Sequence, residues 1–228
     1  MKILALIPAR GGSKRIPQKN LREISGHPLL YYTIKFAHSI ADFSEIVVSS
    51  DDAEILKYCK NLNINCIKRP SEFAEDTSST GSVLKSTLEH FEKNDMQFDT
   101  IVTLQPTNPF RSKKNLLDAI NSYQEIQAES LISVAEVSQK FGSIRNGIYL
   151  ASNYSLGDRG QDMEKLYYET GQFYITSNSV ARNGHVSVNP APWICKNWFD
   201  SVDIDEPNDL KLAETLMTNF KKEADFPL

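Results

Sequence analysis

"KILALIPARGGSKRIPQKN", Lys2 to Asn20, is the stretch from which the fold is read. Its first half is an apolar run without polar alternation, ended by Pro8, the pattern of a strand buried on both faces of a parallel sheet and placed near its centre. The second half breaks into Gly11 and Gly12 and sets Arg10, Lys14, Arg15 and Lys19 within ten residues. Such a turn exposes consecutive backbone N–H groups, because Gly11 and Gly12 tolerate φ > 0 and bring no Cβ against an approaching anion. Charge-assisted hydrogen bonds from the four cations add to that concavity, and a triphosphate with roughly four negative charges matches their density. Neither GxxxxGK[ST] nor a GxGxxG leading straight into a helix is present, so the loop is not Walker A and not the dinucleotide fingerprint. A solvated basic turn is the bland alternative; the loop's position after a buried strand, where open α/β sheets bind ligands, weighs against it.

Outward from this loop the chain alternates. "PLLYYTIKFAHSI" (Pro28 to Ile40) reads as a helix begun by proline, "EIVVSS" (Glu45 to Ser50) as a strand, "DAEILKYCKNL" as a helix with an acidic first turn and "INCIKR" as a strand. "STGSVLKSTLEHFEK" (Ser79 to Lys93), "DTIVTLQP" (Asp99 to Pro106), "SKKNLLDAINSYQEI" with Ser112 as N-cap, and "ESLISVAEV" continue as helix, strand, helix, strand. Strands and helices in this alternation predict an α/β protein with an open, mostly parallel sheet between helices. From Ser138 to about Thr170 no periodicity persists, and this stretch is read as an insertion in a single domain spanning residues 1–228. Phe141, Tyr149, Tyr154, Tyr167 and Tyr168 give it a packed rather than a disordered character. "GQFYITS" (Gly171 to Ser177) and "FDSVDID" (Phe199 to Asp205) read as strands, and "EPNDLKLAETLMTNFKK" as a closing helix with Pro207 in its first turn and lysines in its last.

The chain has 228 residues, 40% of them hydrophobic, enough for one well-buried core with a modest appendage. A net charge of −4 and a pI near 5.6 argue against nucleic acid as a partner, since the basic residues outside the opening loop are scattered. The positive charge is local, so a small partner is expected. Cys59, Cys66 and Cys195 lack zinc-ligand spacing and are odd in number, which fits a reducing compartment, and the four histidines show no paired spacing. The opening run is too short for a signal core, and no run approaches the ~18 apolar residues of a membrane span, so a cytoplasmic protein without membrane contact is expected.

"VDID" carries the second constellation. In a strand, Asp203 and Asp205 project to one face while Val202 and Ile204 face the core. Two carboxylates on one face form a hard-oxygen site of the kind Mg²⁺ prefers, bridging to phosphate oxygens. The alternative is an acidic lead-in to the last helix, with Glu206 and Asp209 serving its dipole. "LQPTNPFR" (Leu104 to Arg111) follows a buried strand, so Gln105 emerges where the ligand crevice should lie. Asp51 and Asp52 also end a strand, where a helix N-cap accounts for at least one.

Together with "VVSSDD" (Val47 to Asp52), "RPSEFAEDTSST" (Arg69 to Thr80), "GQFYIT" and "VDIDEPNDL" (Val202 to Leu210), the opening loop resembles the cytidylyltransferases that activate nine-carbon keto acid sugars. This is the CMP-sialic acid synthetase family, with its legionaminic and pseudaminic acid branches. The resemblance implies a Rossmann-like nucleotidyltransferase fold and transfer of CMP from CTP to the anomeric hydroxyl of a sugar acid. It implies triphosphate contacts from Arg10, Gly11, Gly12, Ser13, Lys14 and Lys19, with Arg10, Lys14, Lys19 and Asp205 catalytic. Asn20, Arg69, Thr80 and Gln105 would complete the CTP site, and Asp203 with Asp205 would bind Mg²⁺. For the sugar it points to Gln105, Gln172, Lys140 and Arg145, with Arg159 and Lys165 as further candidates for its carboxylate. The insertion would be a dimerisation arm, giving a homodimer with shared sites. "GQFY" is similar to the pseudaminic branch and "LQPTNPFR" to the sialic and legionaminic branches, which leaves the sugar open. A cytidylyltransferase for an eight-carbon acid and a non-catalytic nucleotide-binding module stand as the other readings.

Overall fold

The apolar run at the start of the chain forms β1 (Ile3–Pro8), whose first five residues are buried. Ile3 and Ile7 join one core and Leu4 and Leu6 the other, so the strand is enclosed on both faces as its sequence requires. The computed structural model describes residues 1–70 and 79–219. After β1 come the short hairpin β2 (Glu23–Ile24) and β3 (His27–Pro28), then α1 (Leu29–His38), β4 (Phe43–Ser50), α2 (Ala53–Asn61) and β5 (Cys66–Lys68). They are followed by α3 (Thr80–Glu92), β6 (Thr100–Thr103), α4 (Lys113–Glu125), β7 (Ser130–Glu136), β8 (Gly142–Arg145) and β9 (Ile148–Ala151). The chain closes with β10 (Tyr167–Ser177), α5 (Asn178–Arg182), β11 (Ala191–Ile194) and α6 (Pro207–Asn219).

Seven strands make one sheet in the order β11-β7-β10-β6-β1-β4-β5. Only β10 runs against its neighbours, antiparallel to both β6 and β7. β11, which carries Pro192, occupies the sheet edge, where a missing N–H is tolerated. α1, α2 and α4 cover one face of the sheet and α3 and α5 the other. A third cluster packs Ala213, Leu216 and Met217 of α6 against Ile16, Ile24 and Ile204. Polar side chains fix several helix starts: Asp52 accepts from the N–H groups of Glu54 and Ile55, Ser79 from Ser82, and Ser112 from Asn115. Among the described residues no helix is long and apolar enough to cross a membrane, and all three cysteines are free.

Every element anticipated between Lys2 and Val137 is found, and the departures come later. The stretch read as aperiodic contains the hairpin β8–β9, turned by Asn146 and Gly147 at φ 51° and 75°. An Asn-Gly pair with both φ angles positive makes the tight turn that joins twisted antiparallel strands. The expected strand from Phe199 to Asp205 does not form: Trp198–Ser201 is a 3₁₀ helix, and the chain to Asp205 is unladdered. The lysines assigned to the end of the last helix, Lys221 and Lys222, lie outside the described residues, as does most of "RPSEFAEDTSST".

Candidate active site

β1 continues into β4 and β5 on one side and lies beside β6 on the other, so the strand order reverses between β1 and β6. Loops leaving the C-terminal ends of those two strands diverge, and the crevice between them is where open α/β sheets bind ligands. A cavity of about 720 Å³ opens there. The β1 loop contributes Arg10, Ser13, Lys14, Arg15, Lys19 and Asn20, and the β6 loop contributes Gln105, Pro106 and Thr107. Arg69, Thr80, Asp203 and Asp205 complete its wall.

The loop's own turns, Ser13 N–H to Gly11 O at 3.0 Å and Lys19 N–H to Ile16 O at 3.1 Å, are supplemented by further anchors. Ala9 N–H donates to Ser49 O at 2.9 Å, and Asn20, itself buried, donates from Nδ2 to Arg10 O at 2.8 Å. The N–H of Gly11 goes to Asp51 Oδ1 at 3.1 Å. Neither Gly11 nor Gly12 has a positive φ or lines the cavity, which corrects the expectation of a left-handed glycine cradle. Gly11 is glycine for a different reason: a Cβ there would sit 2.5 Å from Asp52 Oδ2, the carboxylate that caps α2. The two acidic residues that end β4 therefore shape the loop, one through a hydrogen bond and one through contact.

Across the cavity, Asp203 and Asp205 share a face, and Ile204 between them is buried. Two contacts to the β6 loop replace the missing sheet ladder: Ile204 N–H donates to Thr107 O at 2.8 Å, and Asn108 Nδ2 donates to Val202 O and Asp203 Oδ1, both at 3.2 Å. Asp205 accepts from Lys19 Nζ at 3.0 Å and from Arg15 Nη2 at 2.8 Å. Burial alone would raise the Asp205 carboxyl, but the Lys19 hydrogen bond and the charges of Lys19 and Arg15 outweigh it and hold the group below its ordinary range. Asp209 accepts from the N–H groups of Asp205 and Glu206, so the role of serving the helix start falls to it. Arg69 is buried in the wall, where Nη2 donates to Ser49 O at 2.9 Å; burial lowers its pKa from the ordinary value.

A second cavity of about 550 Å³ adjoins the first and shares Thr80 and Gln105 with it. Glu169, Tyr174, His185, Ser79 and Ser187 add further polar groups, and Tyr174 Oη donates to Glu169 Oε2 at 3.0 Å. Burial, then Glu169, push the Tyr174 phenol well above its ordinary value, so it stays protonated and serves as a donor. Gln172, expected at the sugar, is absent from both cavities and buried in the core. Its Nε2 donates to Phe110 O at 2.6 Å and Asp200 O at 2.7 Å, tying β10 to two neighbouring segments. The cause is the irregular register of β10 between Glu169 and Tyr174, with Gly171 at φ 69°. Lys140, Arg145, Arg159 and Lys165 line neither cavity of their own chain. Lys140 donates to Asp158 O and lies 4.9 Å from the Tyr154 ring centre, while Arg159 and Lys165 pair with Asp162 and Glu136. The sequence reading passed over Asn108, Glu169 and Tyr174, which no local pattern distinguishes from turn or strand residues.

The arrangement sets a cationic loop opposite a pair of carboxylates, with a second compartment beside it. Residues 4–224 match the family model described as "Cytidylyltransferase". The chain is 34% identical over 226 residues to the CMP-N,N'-diacetyllegionaminic acid synthase of Legionella pneumophila, covering 95% of this chain and 97% of that one. It is 29% identical over 230 residues to the pseudaminic acid cytidylyltransferase of Campylobacter jejuni, covering 95% and 96%. A solved structure of CMP:2-keto-3-deoxy-manno-octonic acid synthetase complexed with CTP superposes with a TM-score of 0.71 at 16% identity, over 96% of this chain and 100% of that one. At that identity the superposition establishes a shared fold.

Proposed function

The chain belongs to the cytidylyltransferase family, and we propose that it transfers CMP from CTP to the anomeric hydroxyl of a nonulosonic acid, releasing pyrophosphate. The observation that carries this reading is the crevice between β1 and β6, where a cationic loop faces Asp203 and Asp205 across one cavity that continues into another. The first compartment takes CTP and the second the sugar acid, with Thr80 and Gln105 at the boundary where the two must react. In the reaction the anomeric oxygen forms a bond to the α-phosphorus, the bond from that phosphorus to the bridging oxygen breaks, pyrophosphate leaves and the hydroxyl proton is lost. Arg10, Lys14 and Lys19 offset the charge that gathers on the leaving group, and alignment of the two substrates supplies much of the remaining rate. Support for a nonulosonic acid comes from the legionaminic and pseudaminic relatives, each aligned over nearly the whole chain.

Asp203 and Asp205 fit Mg²⁺. That ion takes one or two carboxylates, keeps several waters and completes its shell with phosphate oxygens. Both carboxylates line the cavity, and the hydrogen bond from Asn108 occupies only Oδ1 of Asp203. When bound, the ion would neutralise charge on the triphosphate oxygens.

The β8–β9 hairpin is the arm of a homodimer in this reading. Ile144, Ile148 and Leu156 are 75%, 63% and 77% exposed, and Tyr149, Leu150, Tyr167 and Tyr168 are exposed as well, so apolar side chains stand on both faces of the hairpin and beside it. Lys140 and Arg145, on or beside that arm, would serve the partner's sugar compartment. The deciding experiment is a pyrophosphate-release assay crossing four nucleoside triphosphates with sialic, legionaminic, pseudaminic and eight-carbon keto acids in Mg²⁺. Release with CTP and a nine-carbon acid is expected; silence with CTP and every acid would end this reading.

A further inference from the structure

Arg111 is 1% exposed, and its hydrogen bonds all go to neutral oxygens. Nε donates to Gln172 O at 2.7 Å, Nη1 to Thr33 Oγ1 at 2.9 Å and also to Asn108 O, and Nη2 to Gln105 O. Four of the five N–H groups of a guanidinium are thus spent on α1, the β6 loop and β10. A lone buried cation is costly, and burial lowers this one to about 9. Such a cost is retained where donors of fixed geometry are needed, and three inward-turned carbonyls and a hydroxyl from three segments are that case.

From the other side, Gly171 presses on the same residue. A Cβ at Gly171 would lie 2.9 Å from Gln105 Oε1 and 3.1 Å from Asn108 Oδ1. Gln105 is therefore held at its backbone carbonyl by Arg111, and its side-chain amide oxygen occupies space that only a glycine at 171 leaves open. It is also one of two residues common to both cavities.

We infer that Arg111 is a positioning residue whose role is to hold Gln105 at the boundary between the nucleotide and acceptor compartments, with Gly171 as the opposing wall. An amide there donates to a phosphate or acceptor oxygen and accepts from a hydroxyl, and a displacement of about 1 Å at such a contact costs on the order of 10²-fold in rate. This inference rests on the cytidylyltransferase reading for its kinetic consequence, but not for its structural one.

The test compares Arg111→Lys and Gly171→Ala, each alone and combined with Gln105→Ala. Each single variant is expected to lower kcat by about tenfold or more while the KM for CTP moves by less than about threefold. In the Gln105→Ala background neither should lower kcat by more than about twofold further, because the residue through which they act is already gone. Losses that multiply in the double variants would overturn the inference. Gly171→Ala leaves the guanidinium in place, so poor folding of Arg111→Lys does not remove the test. A second readout needs no substrate: the side-chain amide resonances of Gln105, identified by their absence in Gln105→Ala, should shift in both single variants. Unshifted resonances would overturn the proposal. Wild-type chain that releases no pyrophosphate would count against the proposed reaction, and the resonances would then decide Arg111 alone.

Discussion

Gly81 sets two effects against each other. It is the second residue of α3, where alanine would favour the helix by about 1 kcal/mol over glycine. A Cβ at this position, however, would lie 1.8 Å from the carbonyl oxygen of Gly184, 2.5 Å from its carbon and 3.1 Å from His185 N. All three are backbone atoms, so no rotamer change relieves the overlap, and reaching ordinary contact at 3.4 Å requires the segments to part by about 1.6 Å. A backbone overlap this deep falls at the upper end of the overpacking range, about 2–3 kcal/mol, against the roughly 1 kcal/mol the helix gains. Gly81→Ala should therefore lose about 1–2 kcal/mol in urea unfolding, and roughly 2–8 °C in Tm for a chain of this size. Because Thr80 precedes it and lines both cavities, kcat/KM should fall as well. Gly160→Ala, with nothing within 4 Å of its Cβ, should change stability by less than about 0.5 kcal/mol. A Gly81→Ala chain as stable as wild type with unchanged kcat/KM would refute the contact between α3 and the segment after α5.

Lys19→Ala should lower kcat/KM by on the order of 10²-fold with an unchanged circular dichroism spectrum, since its ammonium faces the triphosphate compartment; near-normal kinetics would remove it from the reaction. Asp205→Asn should raise the Mg²⁺ concentration for half-maximal rate by about tenfold or more, and an unchanged requirement would dismiss it as a ligand. Asp200 is buried, with Oδ1 unpartnered, and burial raises its carboxyl from 3.8 to about 6. A raised carboxyl favours the protonated fold, so its ionisation destabilises the protein above about pH 6, and that penalty fades as pH falls toward 4. Asp200→Asn should accordingly gain up to about 3 kcal/mol over wild type at pH 8, with the difference shrinking at pH 4; a pH-independent difference would contradict the assignment. Ile148→Glu should convert the proposed dimer to monomer in sedimentation equilibrium, and an unchanged mass would clear the hairpin of that role.

The α/β architecture was legible because parallel strands buried on both faces leave unbroken apolar runs, as in β1 and β6, and because caps such as Asp52 and Ser112 sit beside the chain they cap. What escaped reading depends on contacts distant in sequence. The hairpin β8–β9 shows no alternation because within one chain nearly all its residues are exposed on both faces, although Asn146-Gly147 was a local signal for it. Asp203 and Asp205 do share a face, since alternation is a property of any extended backbone, whereas a strand also needs a partner, and here Thr107 and Asn108 stand in for one. Gln172 was misplaced because irregular register in β10 decides which of its side chains reach the crevice. Nothing local in "LQPTNPFR" marks Arg111 as buried, and only the convergence of three segments on it does so.

The glycine turn after β1 serves a purpose other than the one its composition suggests. Gly11 gives its N–H to Asp51 and its missing Cβ to Asp52, so it lets the loop fold tightly onto the end of β4 and leaves the cavity wall to side chains. Those side chains need restraint, because Arg10, Lys14, Arg15, Lys19 and Arg69 crowd one cavity and repel one another. Asp205 supplies that restraint to Arg15 and Lys19 through ion pairs that are partly solvated, and therefore weak enough to be exchanged for phosphate oxygens. Among the described residues five cations and two carboxylates line the cavity, a balance that suits the triphosphate of the proposed reaction. In the proposed reaction the same carboxylate would release Arg15 and Lys19 to phosphate oxygens as it passes to Mg²⁺, coupling order in the loop to charge on the ligand.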